Sequence, residues 1–181
     1  MNPTPIYLAA KWQTPAHRAA VDLIVIHTME LPCEPGMAAR LAQRFAIGER
    51  QVSAHYSVDS GDVVCSVRET EVAWHCPKAN RRGIGIEHAG YSTEPLATDW
   101  LTDEHALSML DVSAELVAGI CARWAIPVVH LTPAQLLAGE HGIIGHADAS
   151  DAFQTPGGHR DPGKNWPWTE YLDKIQAKLE T

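Results

Sequence analysis

The chain has 181 residues, and 45% of them are hydrophobic, which suffices for one globular domain with a sizeable core. Its formal net charge is −8 and its basic residues form no stripe, so we expect no nucleic-acid partner. No apolar run approaches the roughly 20 residues that a membrane-spanning helix needs, so we expect no membrane partner. We also expect the protein to be a monomer.

Residues 1–20 contain three prolines and predict a surface lead-in, and the main domain is predicted over residues 21–181. The first residues lack a charged segment followed by an apolar one, so we expect no secretory signal peptide. Residues 21–27 then form an apolar run, which predicts a buried strand that ends at His27. A histidine at the carboxyl end of a buried strand lies where α/β proteins place their chemistry.

The middle of the chain alternates between helix and strand signals. A helix is predicted to end at Gly48, and a turn signal at 59–62 predicts a β-hairpin. The four cysteines have no paired CxxC spacing, so we expect reduced, mostly buried thiols. In chain order, the elements predicted here are a helix at 37–47, strands at 52–58 and 63–67, an extended segment at 71–76 and a strand at 84–89.

The second half of the chain predicts three helices. The longest runs from Thr102, the predicted N-cap, to Trp124, because apolar residues recur at three- and four-residue steps. A short helix is predicted at 132–139 and a C-terminal helix at 167–179. Early strands with helices around them predict an α/β fold, namely a single domain with a central mixed β-sheet flanked by helices.

Residues 140–166 are rich in glycine, aspartate, proline and histidine and show little regular pattern. An unstructured segment of this length inside a domain is usually functional. It contains the sequences GHAD at 145–148 and GGHRDPG at 157–163. Two or three side chains of this segment, folded back against His27, would form a metal site.

A catalytic zinc site uses three protein ligands, often imidazole nitrogen and carboxylate oxygen, and leaves a fourth position open. His27 and His146 are the first two candidate ligands, and Asp161 in its proline–glycine turn is the third. Asp148 and His159 are competing third ligands, and sequence spacing does not decide among the three.

Six short motifs follow one another along the chain. They are IVIHT at 24–28, VSAHY at 52–56, AWH at 73–75, GIGIE at 83–87, GHAD at 145–148, and DPG at 161–163 with WPW at 166–168. Together they resemble the type-2 family of zinc-dependent N-acetylmuramoyl-L-alanine amidases, which includes phage endolysins, peptidoglycan-recycling amidases and peptidoglycan recognition proteins. The resemblance covers about residues 20–170.

The resemblance implies zinc held by His27, His146 and Asp161 in a groove at one face of the sheet. Some family members use a cysteine as the third ligand, but no cysteine follows Cys121 here, so the carboxylate version fits. The implied reaction is hydrolysis of the amide bond between N-acetylmuramic acid and L-alanine. The implied partner is peptidoglycan or a muropeptide.

The resemblance also implies two catalytic residues. Glu87 ends the GIGIE motif, where the carboxylate-ligand branch of the family has a glutamate as general base. Other members use a tyrosine where this chain has Ala54, so we expect a stronger dependence on Glu87. His159 stands where many relatives have an oxyanion-stabilising lysine. Because histidine titrates near pH 6.5 rather than about 10.4, we expect a steeper dependence of activity on pH.

Trp74, His75 and Asn80 are the predicted substrate-binding residues. An aromatic ring suits stacking on a sugar or lactyl face, and the polar pair suits a peptide backbone. Core packing is the alternative interpretation for Trp74. His55, in the second motif, is interpreted as mainly structural.

Three functions are compatible with these motifs. The favoured one is a phage endolysin, which we expect to stay in the host cytoplasm until a holin releases it to the cell wall. The second is a cytoplasmic amidase that recycles muropeptides. The third is a binding module without activity, but such relatives have typically lost a zinc ligand, whereas this chain keeps a complete candidate set. A zinc peptidase of the HExxH type is not supported, because the motif is absent.

Overall fold

The computed structural model describes residues 5–180, and these residues form eight strands and five helices. The strands are β1 Ile6–Tyr7, β2 Gln13–Thr14, β3 Leu23–Thr28, β4 Tyr56–Val58, β5 Val63–Cys65, β6 Val72–Ala73, β7 Gly83–His88 and β8 Gly142–Gly145. The helices are α1 Met37–Ile47, α2 Glu104–Trp124, α3 Pro133–Leu137, α4 His146–Ala152 and α5 Trp168–Leu179. The start of the predicted lead-in, residues 1–4, and the last residue of the predicted main domain lie outside the described residues.

Six strands form one sheet in the order β1-β5-β4-β7-β3-β8, while β2 and β6 form a separate two-stranded sheet. β3 lies between β7 and β8 and runs parallel to both, whereas β4 and β5 are antiparallel. The sheet is therefore mixed. The predicted α/β fold, with a central mixed sheet flanked by helices, is confirmed.

Alternate residues of β3 face opposite sides of the sheet. Ile24 and Ile26 pack in the core cluster that contains the buried residues of α2 and α5. Leu23 and Val25 pack in a second cluster with residues of α3 and α4. By this alternation His27 belongs to the face opposite α2, and that face carries the functional residues.

Helix α2 is long and apolar enough, by length and composition alone, to cross a membrane. In this fold, however, its residues Leu110 and Val117 are fully buried, in the same core cluster as residues of the sheet and of α5. Its N-terminal end is capped and its outer face is partly exposed. These features are those of a core helix in a globular domain.

Two helix boundaries agree with prediction, and in both a residue with a marked capping preference fixes the boundary. Gly48 ends α1 with a φ of 71°, a conformation that glycine adopts without a steric penalty. Thr132 opens α3 with a capping box. Helix α2 begins later than predicted, because Asp103 rather than Thr102 is the N-cap and accepts a backbone hydrogen bond.

The strand predicted at 52–58 is shorter in the structure, where it begins at Tyr56. The preceding residues leave the regular ladder because their backbone groups bind different segments. The Ser53 N–H donates to the Trp74 carbonyl, and the His55 N–H donates to the Gly85 carbonyl. This segment therefore joins β7 to the chain that follows β6.

The expectation that residues 140–166 lack regular structure is wrong for their first part, which forms β8 and α4. Gly142 and Gly145 make β8 hard to predict from the sequence, because glycine is depleted in strands. Gly142 is required there, since a Cβ atom would lie 2.8 Å from the Val129 carbonyl oxygen. The strand forms through parallel pairing with β3, a long-range contact that no local pattern reveals.

The segment predicted as a surface lead-in contributes two short strands. β1 pairs in parallel with β5 at the edge of the sheet, and β2 pairs antiparallel with β6. Arg18, which follows them, donates hydrogen bonds to the carbonyls of Gly83 at 2.8 Å and Glu69 at 2.5 Å. From residue 5 onward this segment is therefore part of the packed structure.

All four cysteines are free thiols, as expected. Cys76 and Cys121 are buried, and Cys33 and Cys65 are half-buried. Burial raises the pKa of Cys33 and Cys76 to about 12 and the pKa of Cys65 and Cys121 to about 11. The thiols are consequently protonated near neutral pH.

Candidate metal centre and catalytic cleft

The three side chains predicted as metal ligands meet near the carboxyl end of β3. His27 Nδ1 lies 3.0 Å from Asp161 Oδ2, and His146 Nδ1 lies 3.4 Å from Asp161 Oδ1. One potential ligand atom from each residue lies within 4.8 Å of the other two. All three residues are buried, so they form a compact set of donors shielded from bulk water.

The fold assembles this cluster from segments far apart in sequence. His146 is the first residue of α4 and directly follows β8, the parallel neighbour of the strand that carries His27. The Ala147 N–H donates to the Asp161 carbonyl at 2.7 Å, and this bond joins the loop that carries Asp161 to the start of α4. Gly145 permits this approach, because a Cβ there would lie 2.9 Å from Cδ of the proline after Asp161.

The electrostatics of the cluster suit a cation. Burial lowers the pKa of His27 to about 4, so its imidazole stays neutral. Burial alone would raise the pKa of Asp161, but the surrounding imidazoles outweigh it and hold this pKa far below its usual range. His146 Nδ1 is buried and has no hydrogen-bond partner among residues 5–180. Two imidazoles and a carboxylate, with one buried nitrogen free to coordinate, fit a divalent metal ion.

The two competing third ligands have other surroundings. Asp148 Oδ2 lies 3.0 Å from His130 Nε2, and the two side chains form an ion pair when His130 is protonated. His159 stacks on His146, with ring centroids 4.2 Å apart. Within residues 5–180 the metal-compatible cluster includes neither of them, and Asp161 supplies its carboxylate.

Glu87 lies beside His27, because the two are register partners in the parallel strands β7 and β3. Its side chain lines the same cleft as the metal-compatible cluster. Burial raises the pKa of Glu87 well above its usual value, and the carboxylates of Asp161 and Glu30 raise it further. A carboxyl group with such a pKa can exchange a proton during a reaction, as a general base or acid must.

His159 lies at the mouth of the cluster. Its Nδ1 is 3.5 Å from Asp161 Oδ1, while its side chain is 70% exposed. The interaction with Asp161 raises the pKa of His159, which favours the protonated ring. An exposed, positively charged donor at this place can stabilise a developing oxyanion.

A cleft of about 420 Å³ opens over the cluster. Helix α1 contributes both apolar and cationic side chains to it, and Trp74 adds an aromatic surface. The lining residues outside the cluster include Leu41, Arg44, Phe45, Arg50, Val52 and Trp74. The cleft therefore combines a reactive centre with surfaces suited to an apolar face and to negatively charged groups.

The predicted substrate-binding residues occupy three different environments. Trp74 is half-buried in the cleft, and its indole N–H donates to Thr14 Oγ1 at 2.9 Å. His75 also lines the cleft but is buried against His27, with a nitrogen–nitrogen distance of 3.0 Å. Asn80 is not among the cleft-lining residues, and its Oδ1 accepts the backbone N–H of His75 at 3.0 Å. Direct substrate contact stays a prediction for these residues.

Sequence analysis missed Arg18, Arg44 and Arg50, whereas it named His55 and interpreted it as mainly structural. Arg44 and Arg50 line the cleft, although no motif marks them. His55 Nδ1 accepts the Gly85 N–H at 3.0 Å, and His55 Nε2 lies 3.0 Å from an Arg18 nitrogen. The amphipathic pattern of α1 points toward Arg44, whereas Arg50 follows the helix and no pattern marks it. No local signal connects Arg18 with a residue 37 positions away.

The fold and the site together define a class of protein. A metal-compatible His–His–Asp cluster beside a protonatable carboxyl group, in a cleft on an α/β sheet, is an arrangement compatible with a hydrolase that uses a metal ion. A family model described as N-acetylmuramoyl-L-alanine amidase, Amidase_2, matches residues 17–164. The chain belongs to this amidase family, and the predicted resemblance is confirmed.

A curated relative supports the same assignment. The chain is 32% identical over 167 residues to N-acetylmuramoyl-L-alanine amidase A of Achromobacter lyticus, with 85% of this chain and 82% of that protein covered. The prediction that the chain is an enzyme, an N-acetylmuramoyl-L-alanine amidase, is therefore confirmed, and its substrate class is peptidoglycan.

Solved structures share the fold. The Staphylococcus aureus hydrolase AmiA, in complex with its ligand, matches with a TM-score of 0.72 and 16% identity over 99% of this chain and 84% of that chain. The endolysin amidase LysCS from Clostridium intestinale matches with a TM-score of 0.60 and 19% identity over 97% of each chain. An AmpD derivative matches with a TM-score of 0.59 and 17% identity over 98% of this chain and 95% of that chain. These likenesses confirm the architecture.

Proposed function

We propose that this member of the family is a zinc-dependent enzyme that hydrolyses the amide bond between N-acetylmuramic acid and L-alanine in peptidoglycan. The buried cluster of His27, His146 and Asp161, with Glu87 beside it, is the observation that carries the proposal. Imidazole nitrogen and carboxylate oxygen are common ligands of catalytic zinc, and three protein ligands leave one position open.

The roles of the side chains follow from their surroundings. A zinc ion held by His27, His146 and Asp161 would act as a Lewis acid, which would polarise the carbonyl group and make a water molecule easier to deprotonate. Glu87 accepts a proton from the attacking water and returns it to the leaving amine, because its raised pKa makes the carboxylate a stronger base than that of an exposed glutamate. His159 donates a hydrogen bond to the carbonyl oxygen as negative charge develops there.

The cleft offers complementary surfaces for a glycan with a peptide branch. Trp74, half-buried in the cleft, presents an aromatic surface that suits the apolar side of a sugar ring or a lactyl group. Arg50 and Arg44 present positive charges that suit carboxylates of the stem peptide. Arg44 already pairs with Glu49 at 2.6 Å, so Arg50 is the more available of the two.

The biological role that we propose is that of a phage endolysin. In this role the enzyme stays in the host cytoplasm until a holin opens the way to the cell wall, and it acts as a monomer without nucleic-acid or membrane partners. Support comes from a cleft whose rim carries exposed residues such as His159 and Val52, so a long glycan strand can approach. A net charge of −8 opposes binding to nucleic acid.

A muropeptide-recycling amidase is the second candidate, because the same cleft accommodates a soluble fragment. Comparing turnover on intact sacculi with turnover on soluble anhydromuramyl peptides separates the two roles. The endolysin proposal requires efficient release from sacculi, and activity confined to the soluble fragments would overturn it.

The enzymatic proposal is tested with purified protein and cell walls. Zinc content is measured together with the release of peptides that carry a new amino-terminal alanine. His27→Ala and His146→Ala should both lose zinc and activity. Full activity in either variant would refute the metal site, and wall binding without new amino groups would indicate a non-catalytic binding module.

A further inference from the structure

His27 uses both of its ring nitrogens inside the protein. Its Nδ1 lies 3.0 Å from Asp161 Oδ2, and its Nε2 lies 3.0 Å from His75 Nδ1. The His27 and His75 rings meet almost at a right angle, with an interplanar angle of 89°. Both residues are buried, so the short contact between their nitrogens is a hydrogen bond in which one ring donates.

The His75 ring packs in a notch of β7, which is formed where Gly83 and Gly85 lack side chains. Gly83 and Gly85 lie on the same face of the sheet as His27, because they alternate with the isoleucines that pack toward α2. A Cβ at Gly85 would lie 2.5 Å from His75 Cγ, and a Cβ at Gly83 would lie 3.6 Å from His75 Cε1. Position 85 therefore accepts no side chain while His75 keeps its place.

The backbone around His75 is fixed by separate contacts. The N–H groups of His75 and Cys76 both donate to Asn80 Oδ1, at 3.0 Å and 2.7 Å. The His55 ring lies beside the His75 ring, with centroids 5.6 Å apart. The imidazole is thus enclosed by the notch, by His55 and by His27, and its orientation is well defined.

The hydrogen bond between His27 Nε2 and His75 Nδ1 can run in either direction. Its direction depends on whether His27 Nδ1 contacts only the Asp161 carboxylate or also a cation. A carboxylate only accepts, so without a cation His27 donates from Nδ1 to Asp161, and its Nε2 accepts from His75. A cation at Nδ1 requires a lone pair there, so the proton resides on Nε2, which then donates to His75. A neutral His75 satisfies both arrangements, because its Nδ1 can donate or accept.

We propose that His75 is a positioning residue for His27. Its hydrogen bond to His27 Nε2 fixes the orientation of the His27 ring and favours the tautomer in which Nδ1 carries the lone pair, directed toward Asp161 and a bound metal ion. This role rests on the proposed metal site, and it differs from the substrate contact predicted for His75. Loss of such a partner behind a metal-binding histidine typically weakens metal affinity by about 10–100-fold.

The test compares variants of the full-length chain that keep or remove a hydrogen-bonding group at the Nδ1 position. His75→Asn places an amide close to that position, His75→Gln places its amide farther out, and His75→Leu has no polar group. His130→Leu removes an imidazole that contacts Asp148 rather than His27, and it serves as the control. The zinc dissociation constant is measured by competition with a chelator, and the cobalt-substituted proteins are compared by their absorption spectra.

We expect the Leu and Gln variants to bind zinc about 10–100-fold more weakly than the parent, and the Asn variant and the control to stay within about threefold. The cobalt spectrum of the Asn variant should match that of the parent. If circular dichroism shows that the Leu variant does not fold, the zinc affinities of the Asn and Gln variants alone test the role of His75. Equal zinc affinity in parent and Gln variant, or equal weakening in Asn and Gln, overturns the role of His75. A parent chain that binds no zinc overturns the metal proposal itself.

Discussion

Glu69 joins the C-terminal end of α2 to the segment that follows β5. Its carboxylate accepts hydrogen bonds from the Tyr56 hydroxyl at 2.8 Å, from Trp124 Nε1 at 2.5 Å and from Arg123 Nη2 at 2.5 Å. The side chain of Glu69 is only 12% exposed, whereas that of Arg123 is 52% exposed. The bonds to tyrosine and tryptophan should therefore contribute more to stability than the ion pair.

Glu69→Gln replaces the carboxylate by an amide, which keeps only one acceptor oxygen. The new amide N–H₂ group then faces the donors of Tyr56, Trp124 and Arg123, with which it cannot form the same bonds. A hydrogen bond to a charged group contributes about 1.5–3 kcal/mol, and an exposed ion pair contributes about 0–1 kcal/mol. Because the amide oxygen still accepts one bond, we expect a loss of about 2–3 kcal/mol in the free energy of unfolding. This corresponds to a fall of roughly 5–10 °C in melting temperature.

The effect depends on pH in a defined direction. Burial would raise the pKa of Glu69, but the hydrogen bonds from Arg123, Trp124 and Tyr56 outweigh it, and the pKa lies below its usual value of 4.5. A depressed carboxyl pKa gives stability that is fully present above the unfolded pKa and is lost as the pH falls through the folded pKa. The difference between parent and Glu69→Gln should therefore be constant from neutral pH down to about pH 5 and should shrink below about pH 4.

The assay is urea unfolding followed by far-ultraviolet circular dichroism, in chelator-treated protein so that metal content is equal. Glu115→Gln is the matched control, because this carboxylate lies on α2 without an ion pair to any residue from 5 to 180. A loss below about 0.5 kcal/mol in Glu69→Gln, or a loss of the same size at pH 7 and below pH 4, would refute the reasoning.

Three further predictions concern the site. Glu87→Gln should reduce turnover by about 10²–10⁴-fold and leave zinc affinity nearly unchanged, and parallel loss of zinc would assign Glu87 to metal binding instead. Gly85→Ala should lower stability by about 1–3 kcal/mol and weaken zinc binding, because its Cβ meets the His75 ring; denaturant unfolding and chelator competition measure both effects. Removing metal with a chelator should abolish hydrolysis and lower the melting temperature, and zinc should restore both; full activity without metal would contradict the proposed mechanism.

Motifs at the ends of elements mark the residues of the metal-compatible cluster in the sequence, but the choice of Asp161 over Asp148 and His159 comes from the family resemblance rather than from spacing. His27 lies near the end of an apolar strand, and the structure brings it together with His146 and Asp161 as expected. The parallel pairing of β3 and β7 then places Glu87 in register with His27. A short local pattern thus marks His27 and Glu87 as residues near strand ends, while the register between them is a contact of distant segments.

Other features depend on contacts between distant segments, which local patterns do not encode. β8 exists because β3 offers a parallel edge, and its two glycines conceal it in the sequence. The contact of His27 with His75 joins residues 48 positions apart. The glycine at position 85 is conspicuous in the GIGIE motif, but its reason becomes visible only with the His75 ring packed against it.

The chemistry of the sulfur atoms has a consequence for oxidative damage. The metal-compatible cluster contains imidazole and carboxylate but no thiolate, so peroxide has no sulfur ligand to oxidise. The four thiols lie elsewhere with pKa values raised to about 11–12, and at neutral pH fewer than about one in a thousand is in the reactive thiolate form. Even Cys76, the direct neighbour of His75, is buried. The amidase should therefore retain its activity in an oxidising extracellular medium and in the presence of thiol-modifying reagents such as iodoacetamide.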